Sequence, residues 1–342
     1  MPVEIEPRPI ASIRGQAPRR VASADPLVIG LVNNMPDAAL RSTEDQFSGL
    51  LRAASGDQAV QLRLTSLPEL LRSPEALEHI ERNYYWPLEE LIARPIDALI
   101  VTGTEPRAPV LREEPYWQRF VGLLAFAREH TAASIWSCLA AHAVVLDLDG
   151  VERQRLPQKR CGVYPHGILT GHPLLAGVSA PLPMPHSRWN ELPPAALRAA
   201  GYTLLSWSEE TGADAFVREE RSLLLFFQGH PEYENTTLLK EYRRDVGRYL
   251  NGQQPHYPTL PRGYFSADAV AVLAEFREQA LAKRGAALLE SFPFARVAAG
   301  LENTWRSSAV AMYRNWLSFI SARRVQSQQS SAPCTVASKT DS

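Results

Sequence analysis

The stretch "ASIWSCLAAHAVV" (residues 133–145) passes from a short apolar segment, through a single cysteine, into a segment with helical spacing of apolar residues. A strand that leads directly into a helix is typical of the βαβ units of a parallel sheet. Ligands of such sheets gather beyond the carboxyl ends of the strands, where a helix N-terminus offers unpaired N–H groups. Cys138 is predicted to lie at that point, so both the fold and the chemistry depend on this junction.

The same alternation of apolar runs and helical patterns continues on either side. Strands are predicted at residues 26–32, 60–67, 96–103 and 133–138. The intervening segments "TEDQFSGLLRAAS" and "WQRFVGLLAFAREH" have helical periodicity. Later in the chain, "GYTLLSWSE" and "SLLLFFQGH" are predicted to be strands and "NTTLLKEYRRDVGRYL" a helix. The pattern predicts an α/β fold, a mostly parallel sheet with helices on both faces.

The two ends of the chain differ in composition from its centre. Residues 1–24 are rich in Pro, Arg and Ala without periodicity, and residues 323–342 are polar and of low complexity, so we expect a flexible N-terminal segment and a disordered tail. The α/β domain is predicted to cover residues 25–255. A Pro-rich link then leads to a helical extension, residues 256–322, which completes the domain and whose first helix Ser266 can cap.

Charge and hydropathy limit the classes of partner. Thirty-six Lys and Arg residues against 37 Asp and Glu give a formal charge of -1, which argues against a nucleic-acid-binding surface or a polybasic membrane patch. The sequence shows neither the apolar core of a signal peptide nor the roughly 18 apolar residues of a membrane span. We therefore expect a cytoplasmic protein whose partners are small molecules, with no nucleic acid and no membrane.

The cysteines and histidines do not form a metal-binding pattern. Cys138, Cys161 and Cys334 are too few for a disulfide framework, and Cys334 lies in the polar tail. No CxxC or HxxxH spacing indicates a metal site, so no metal is expected. Three further histidines are predicted to lie in loops: His166, His172 and His186.

Cys138 has two interpretations. A thiol at a helix N-terminus has its thiolate favoured, which suits a nucleophile. A free cysteine is, however, most often a small buried residue with a packing role. His142 follows one helical turn later and can reach the sulfur, although histidines on a helix that faces a sheet are usually packing residues. Position alone leaves both interpretations open.

A second group of candidate residues follows a predicted strand in "LLLFFQGHPEY". The two-residue spacing of His230 and Glu232 can place both side chains on one side of an extended backbone, which suits a general base and a carboxylate that orients it. The alternative is a surface turn, because Gly and Pro punctuate the stretch. Arg188 and Arg244 can bind carboxylates bidentately or can be surface residues paired with acids.

Six motifs, taken together, carry a resemblance to a known family: "VTGTEP...PYW", "SIWSCLAAHA", "QKRCGVYPH", "MPHSRWNELP", "GHPEYENTTLLKEYRRDV" and "NTWRSSAVAMYRNWL". In this order they resemble the homoserine O-succinyltransferase family, a branch of the class I glutamine amidotransferase-like (flavodoxin-like) fold. The resemblance runs from Leu27 to Leu317, with an insertion at residues 262–300. It implies acyl transfer from an acyl-CoA co-substrate to the hydroxyl of homoserine through an acyl-cysteine, with no permanently bound cofactor, and a homodimer.

The resemblance also implies roles for particular residues. Cys138 matches the nucleophile, His230 the base and Glu232 the residue that orients the base. The N–H groups near Cys138 and Leu139 would hold the oxyanion. The substrate-binding positions of the family match Lys159, Ser187, Arg188, Arg244 and Arg107. With these residues in place, the nucleophile interpretation of Cys138 is preferred.

Two stretches depart from the family pattern. Where family members have NxMPKK, this chain has "NNMPDAALRSTEDQF", with Asp37 and Ala38 in place of the lysines, and Arg41 is a candidate substitute. Arg107 occupies the position that helps select the acyl group, where glycine goes with succinyl and glutamate with acetyl. An arginine there can pair with the free carboxylate of a succinyl chain, so succinyl is favoured over acetyl. Otherwise Arg107 pairs with Glu105 or faces solvent.

Three functions follow from these observations. The first is an O-acyltransferase that acts on homoserine or a similar hydroxy amino acid such as serine. The second is a glutamine amidotransferase-like amidase, although a GxCxG motif would be expected there in place of "WSCLA". The third is a non-enzymatic binding or regulatory protein, suggested by the missing lysine. The complete Cys-His-Glu set favours the acyltransferase.

Overall fold

The computed structural model describes residues 3–8, 25–83 and 85–330. Within these residues the strands are β1 (Val3–Ile5), β2 (Leu27–Val32), β3 (Val60–Thr65), β4 (Ala98–Val101), β5 (Ala133–Ser137), β6 (Gln154–Ile168), β7 (Leu182–Glu191), β8 (Thr203–Leu204), β9 (Ser206–Ser208), β10 (Gly212–Ala213), β11 (Ala215–Glu219) and β12 (Leu223–Phe227). The α-helices are α1 (Leu40–Ala54), α2 (Pro74–Arg82), α3 (Leu88–Ile92), α4 (Trp117–His130), α5 (Leu139–Asp149), α6 (Pro194–Ala199), α7 (Thr237–Leu250), α8 (Ala267–Ala282), α9 (Phe294–Ala298) and α10 (Arg306–Ser330).

The central sheet has eight strands in the order β1-β3-β2-β4-β5-β12-β11-β8. Each neighbouring pair from β1 to β12 is parallel, and β11 pairs antiparallel with β12 and β8. Strands such as β4, β5 and β12 are buried along their whole length because helices cover both faces, which is why their sequences are continuous apolar runs. Helices α1 and α10 pack on one face, and α4 and α5 on the other. The predicted mostly parallel α/β fold is confirmed.

The smaller sheet has the strand order β10-β9-β6-β7 and was not predicted. His166 and His186 lie on its long antiparallel pair β6 and β7, so the prediction that they lie in loops is wrong. Prolines and charged residues interrupt both strands, and these residues usually indicate loops because proline cannot donate a hydrogen bond to a ladder. The single strand predicted in "GYTLLSWSE" is also divided, with β8 in the central sheet and β9 in the small one.

The ends of the described chain are more ordered than the sequence predicts. Residues 3–5, within the segment expected to be flexible, form β1 beside β3, and Val3 is buried. Helix α10 continues past residue 323 to Ser330, and within this part Arg324 Nη1 donates to Pro26 O at 2.7 Å and lies 3.3 Å from Asp97 Oδ2. Residues 9–24 and 331–342, including Cys334, lie outside the described residues.

The C-terminal extension packs on the α/β domain. Ser266 Oγ accepts a hydrogen bond from Ala269 N at 3.3 Å, which confirms the predicted cap of α8. Helices α8 and α9 form a third apolar cluster with α7, and α10 packs against α1. The extension therefore supports α7, which carries part of the site described below. None of the helices in the described residues is both long and apolar enough to span a membrane.

Candidate active site

Cys138 lies at a strained turn between β5 and α5. Its φ is 53°, and it is the only non-glycine residue in the described part of the chain with a positive φ. This region is unfavourable for a residue with a Cβ, and such strain persists where the surrounding structure enforces it. Cys138 N donates to Phe227 O at 2.8 Å, and His142 N donates to Cys138 O at 3.3 Å. The thiol is partly exposed, so Cys138 is not a buried packing residue.

The loop after β4 packs directly against the start of α5. A Cβ on Gly103 would lie 2.8 Å from Leu139 Cβ and 2.9 Å from Leu139 N, so only glycine permits this approach. The N–H of Leu139 belongs to the first turn of α5, where backbone donors have no acceptor within the helix. The turn therefore presents a backbone donor beside the thiol, the arrangement that an oxyanion requires. The importance of Gly103 was not predicted from the sequence.

His230 and Glu232 lie just beyond the end of β12, the strand next to β5. His230 Nδ1 is 2.8 Å from Glu232 Oε1, and the imidazole lies close enough to the Cys138 thiol to interact with it. Tyr233 stacks on the imidazole with the ring centroids 4.3 Å apart. Burial alone would lower the pKa of His230, but the charge of Glu232 and the interactions with Cys138 and Glu232 raise it well above its usual value. The structure thus brings Cys138, His230 and Glu232 together.

The backbone that carries His230 is buried. His230 and Glu232 are 5% and 4% exposed, which excludes the surface-turn interpretation of "GHPE". A Cβ on Gly229 would lie 2.6 Å from Met184 Cγ and 2.8 Å from Asp214 Oδ1, and Gly229 N donates to Asp214 Oδ1 at 2.7 Å. His230 is therefore held at a tightly packed glycine turn.

A cluster of charged side chains adjoins this set on the side of α7. Lys159 Nζ lies 2.7 Å from Asp245 Oδ2 and 3.5 Å from Glu241 Oε2. Arg244 Nη2 lies 3.0 Å from Asp245 Oδ1 and 3.7 Å from Glu241 Oε2. Ser187 Oγ donates to Glu241 Oε2. Three of the predicted substrate-binding residues, Lys159, Ser187 and Arg244, are thus brought together around two carboxylates.

Glu241 is the centre of this charged cluster and was not predicted from the sequence. Tyr233 OH donates to Glu241 Oε1 at 2.5 Å, which links the cluster to the ring stacked on His230. Burial would raise the pKa of Glu241, but Lys159 and Arg244, with the hydrogen bonds from Ser187 and Tyr233, hold it below its usual value. Glu241 is therefore an ionised carboxylate. The sequence signal that could have identified Glu241 is its position three and four residues before Arg244 and Asp245, which places the three side chains on one face of α7.

Arg188 lies on the opposite face of β7 from Ser187, since side chains alternate along a strand. It is 3% exposed, and its guanidinium donates to Asn190 O at 2.7 Å and Thr211 O at 2.6 Å. Burial lowers its pKa to about 10, and its charge lies close enough to interact with Cys138. This placement differs from the expectation that Arg188 contacts substrate directly, because backbone carbonyls already occupy two of its donor groups.

The Arg107 side chain is exposed in the loop that follows β4. The N–H groups of Arg107 and Ala108 donate to Glu114 Oε1 at 2.6 and 2.7 Å, so Glu114 closes the loop. Glu105 Oε1 lies 3.7 Å from Arg248 Nη2, and no ion pair between Glu105 and Arg107 occurs among the described residues. The two alternatives to a role in the site were an ion pair with Glu105 and a side chain that faces solvent. The second fits this placement.

The residues that replace the lysine pair of the family stabilise their own loop. Asp37 Oδ1 lies 3.2 Å from Arg72 Nη1, and Asp37 Oδ2 accepts from Ser73 N at 2.8 Å. Ala38 and Arg41 are exposed. The contacts of Asp37 therefore connect this loop to the start of α2, and no contact in the described residues joins Asp37 to Cys138.

Two further predicted residues have packing positions. His142 is 3% exposed, and its Nε2 lies 3.1 Å from Gln228 Oε1, which is the packing alternative considered above. Cys161 is paired with Ser187 across β6 and β7, and burial raises the pKa of its thiol to about 12. No group of three or more His, Cys, Asp or Glu residues in the described ranges is arranged to hold a metal ion.

Comparison with known proteins gives a consistent result. The family model described as homoserine O-succinyltransferase matches residues 9–327. A homoserine O-succinyltransferase of Rhodopseudomonas palustris is 46% identical over 302 residues, 88% of this chain and 90% of the relative. The homoserine O-succinyltransferase of Methylorubrum extorquens is 44% identical, and the match covers 87% of this chain and 88% of the relative. That of Bradyrhizobium japonicum is 43% identical, and the match covers 88% of this chain and 92% of the relative.

Solved structures include a glutamine amidotransferase from Thermotoga maritima, with a TM-score of 0.49 and 11% identity, covering 87% of this chain and 99% of that one. One from Methylobacillus flagellatus has a TM-score of 0.47 and 16% identity, and the match covers 87% of this chain and 96% of that one.

The family model spans most of the sequence, and relatives above 40% identity match this chain over nearly their whole length. The chain belongs to the homoserine O-succinyltransferase family.

Proposed function

We propose that this protein transfers a succinyl group from succinyl-CoA to the hydroxyl of homoserine through a thioester on Cys138. The observation that carries the proposal is the partly exposed Cys138 at a strained turn beside the buried pair His230 and Glu232, next to a cluster of charged residues suited to an amino acid. Family membership and relatives named homoserine O-succinyltransferase support the reaction and the acyl group.

In the first half-reaction, Cys138 sulfur attacks the thioester carbonyl of succinyl-CoA, and His230 holds the thiol proton. The backbone N–H of Leu139, in the first turn of α5, stabilises the oxyanion of the tetrahedral intermediate. When the intermediate collapses, the bond from the carbonyl carbon to the CoA sulfur breaks. CoA leaves as a thiol with the proton from His230, and the succinyl group remains on Cys138.

In the second half-reaction, the hydroxyl of homoserine attacks the Cys138 thioester. His230 takes the hydroxyl proton as the new ester bond forms, and Glu232 stabilises the resulting imidazolium. The bond to the Cys138 sulfur then breaks, and His230 returns the proton to the thiolate. The thiol proton that leaves with CoA in the first half-reaction is thus replaced by the hydroxyl proton of homoserine in the second.

The charged cluster suits an amino acid, which carries an ammonium and a carboxylate. Ionised Glu241 is placed to bind the ammonium group, and Arg244 is placed to bind the carboxylate. Lys159 and Ser187 hold Glu241 from the neighbouring strands. Arg188 is proposed to act from behind the site, where its buried charge lies close enough to interact with Cys138.

Mass spectrometry of the intact protein tests the acyl-enzyme. After incubation with succinyl-CoA alone, we expect one succinyl group on the wild type and on Cys161→Ala, and none on Cys138→Ala. Homoserine added next should remove the group and yield O-succinylhomoserine, whereas serine and water should remove it more slowly. Persistence of the adduct in Cys138→Ala, or turnover of glutamine alone, would show that the proposal is wrong.

A further inference from the structure

Arg153 is a half-buried cation without a partner among the described residues. It lies in the short connection between α5, which begins next to Cys138, and β6. It forms no ion pair or hydrogen bond with any residue in the described part of the chain, whereas most other partly buried arginines do. The groups close enough to interact with its charge include Cys138, Tyr116 and Glu114. A partly buried charge without a counter-ion is costly, which suggests that an anion is bound there during the reaction.

Tyr116 supplies an independent observation that indicates a ligand. The residue is 6% exposed, and its buried hydroxyl has no hydrogen-bond partner in the described residues. Buried hydroxyl groups are normally hydrogen-bonded, because desolvation without a partner costs free energy. The hydroxyl lies within electrostatic range of Arg153. An O–H donor and a guanidinium therefore lie close to each other, and the guanidinium is within electrostatic range of Cys138.

No neighbouring carboxylate in the described residues forms an ion pair with Arg153. Glu114 lies beyond ion-pair distance from Arg153, and its Oε1 is already bound to the N–H groups of Arg107 and Ala108. Arg155, the nearby cation, packs over the Trp189 ring at 4.5 Å and repels Arg153. Glu114 fixes the loop with the Arg107 side chain exposed, whereas Tyr116, further along the same segment, is buried and lies within electrostatic range of Arg153.

We propose that Arg153 and Tyr116 bind the free carboxylate of the succinyl group while Cys138 carries it, and so select this acyl group over uncharged ones. This inference rests on the proposed function. Arginine and a hydroxyl donor together provide charge-assisted hydrogen bonds to a carboxylate. An acyl group of the same length without the carboxylate would leave both groups unpaired, which is an effective basis for discrimination.

The experiment compares succinyl-CoA with butyryl-CoA, which has the same number of acyl carbons but no carboxylate. The rate of acylation of Cys138 is measured without acceptor, from the release of CoA. For Arg153→Gln we expect a loss of about 10- to 100-fold with succinyl-CoA and less than about threefold with butyryl-CoA. For Tyr116→Phe we expect a loss of about 2- to 10-fold confined to succinyl-CoA. Exposed Arg198→Gln on α6 is the matched control and should keep the wild-type ratio, and Arg107→Gln tests the competing residue.

Each alternative outcome is distinct. Equal losses with both donors in Arg153→Gln would show a structural role and overturn the inference. A selectivity lost in Arg107→Gln and kept in Arg153→Gln would assign the carboxylate to Arg107. A wild type that is acylated by both donors equally well would contradict carboxylate selection while leaving acyl transfer intact. A wild type that is acylated by neither would contradict the proposed function itself.

Discussion

His230 Nδ1 lies 2.8 Å from Glu232 Oε1, and both side chains are buried. The second carboxylate oxygen, Glu232 Oε2, has no hydrogen-bond partner in the described chain, so the imidazole is the principal group that the carboxylate contacts. This contact leaves the other imidazole nitrogen available for the Cys138 thiol, which lies close enough to interact with the ring. Glu232 therefore both orients His230 and favours its protonated form.

Glu232→Gln should lower the rate of transfer and change its pH dependence. Burial lowers the pKa of His230, and the negative charge of Glu232 is the largest of the influences that raise it above its usual value. Transfer to homoserine requires neutral His230, so its rate rises with pH through this pKa. Removing the charge should lower the pKa and move the rising limb to lower pH, with a rate loss of about 100-fold or more.

The measurement uses succinyl-enzyme formed in advance and mixed with homoserine over a range of pH. The preformed acyl-enzyme isolates the second half-reaction from the attack of the thiol. A rising limb that stays at the same pH in Glu232→Gln would show that Glu232 does not set the pKa of His230.

Gly103→Ala should impair catalysis through the oxyanion site. The added Cβ would lie 2.9 Å from Leu139 N, so the loop or the first turn of α5 must move. We expect kcat to fall at least about 10-fold, because displacing one oxyanion donor has effects of that size or larger. Gly122→Ala on α4 is the matched control, since a Cβ there meets no atom within 4 Å. Equal activity of the two variants would exclude the proposed oxyanion donor.

Glu241→Gln should weaken binding of the amino acid without preventing formation of the acyl-enzyme. The substitution removes the buried charge that faces Lys159 and Arg244, leaving Asp245 as their main carboxylate partner. We expect the KM for homoserine to rise about 10- to 100-fold, while the mass shift produced by succinyl-CoA alone is retained. Exposed Glu275→Gln on α8 is the control. Loss of the acyl-enzyme itself would place Glu241 in the first half-reaction.

Sequence analysis correctly predicted the positions of the residues that follow a buried parallel strand. Cys138 and His230 each come directly after a continuous apolar run, and parallel neighbours bring their carboxyl ends to one edge. Glu241 was missed because polar residues on an amphipathic helix usually face solvent, and its burial depends on β6 and β7. Those strands were missed because their prolines resemble loop signals. Because side chains alternate along β7, Ser187 and Arg188 point to opposite faces of the sheet. This difference could not be predicted while the segment was taken for a loop.

His142 should make the protein less stable as the pH falls. Burial, reinforced by the nearby charge of Arg188, lowers the pKa of His142 to about 3, whereas in the unfolded chain it is about 6.5. Between these two values unfolding takes up a proton, so the free energy of unfolding falls by at most about 1.4 kcal/mol per pH unit from this residue. His230 acts in the opposite sense: its raised pKa stabilises the fold below about pH 6.5, and that contribution is lost as the pH rises through the folded-state pKa.

Urea unfolding of His142→Gln at several pH values between about 7.5 and 5.5 separates the two effects. Glutamine can keep a hydrogen bond to Gln228 but cannot titrate, so the variant should lose less stability than the wild type over this interval. His130→Gln is the control, because His130 is exposed at the end of α4 and should leave the pH dependence unchanged. If His142→Gln and the wild type lose stability equally, the imidazole is protonated in the fold, and its burial beside Gln228 does not exclude the proton.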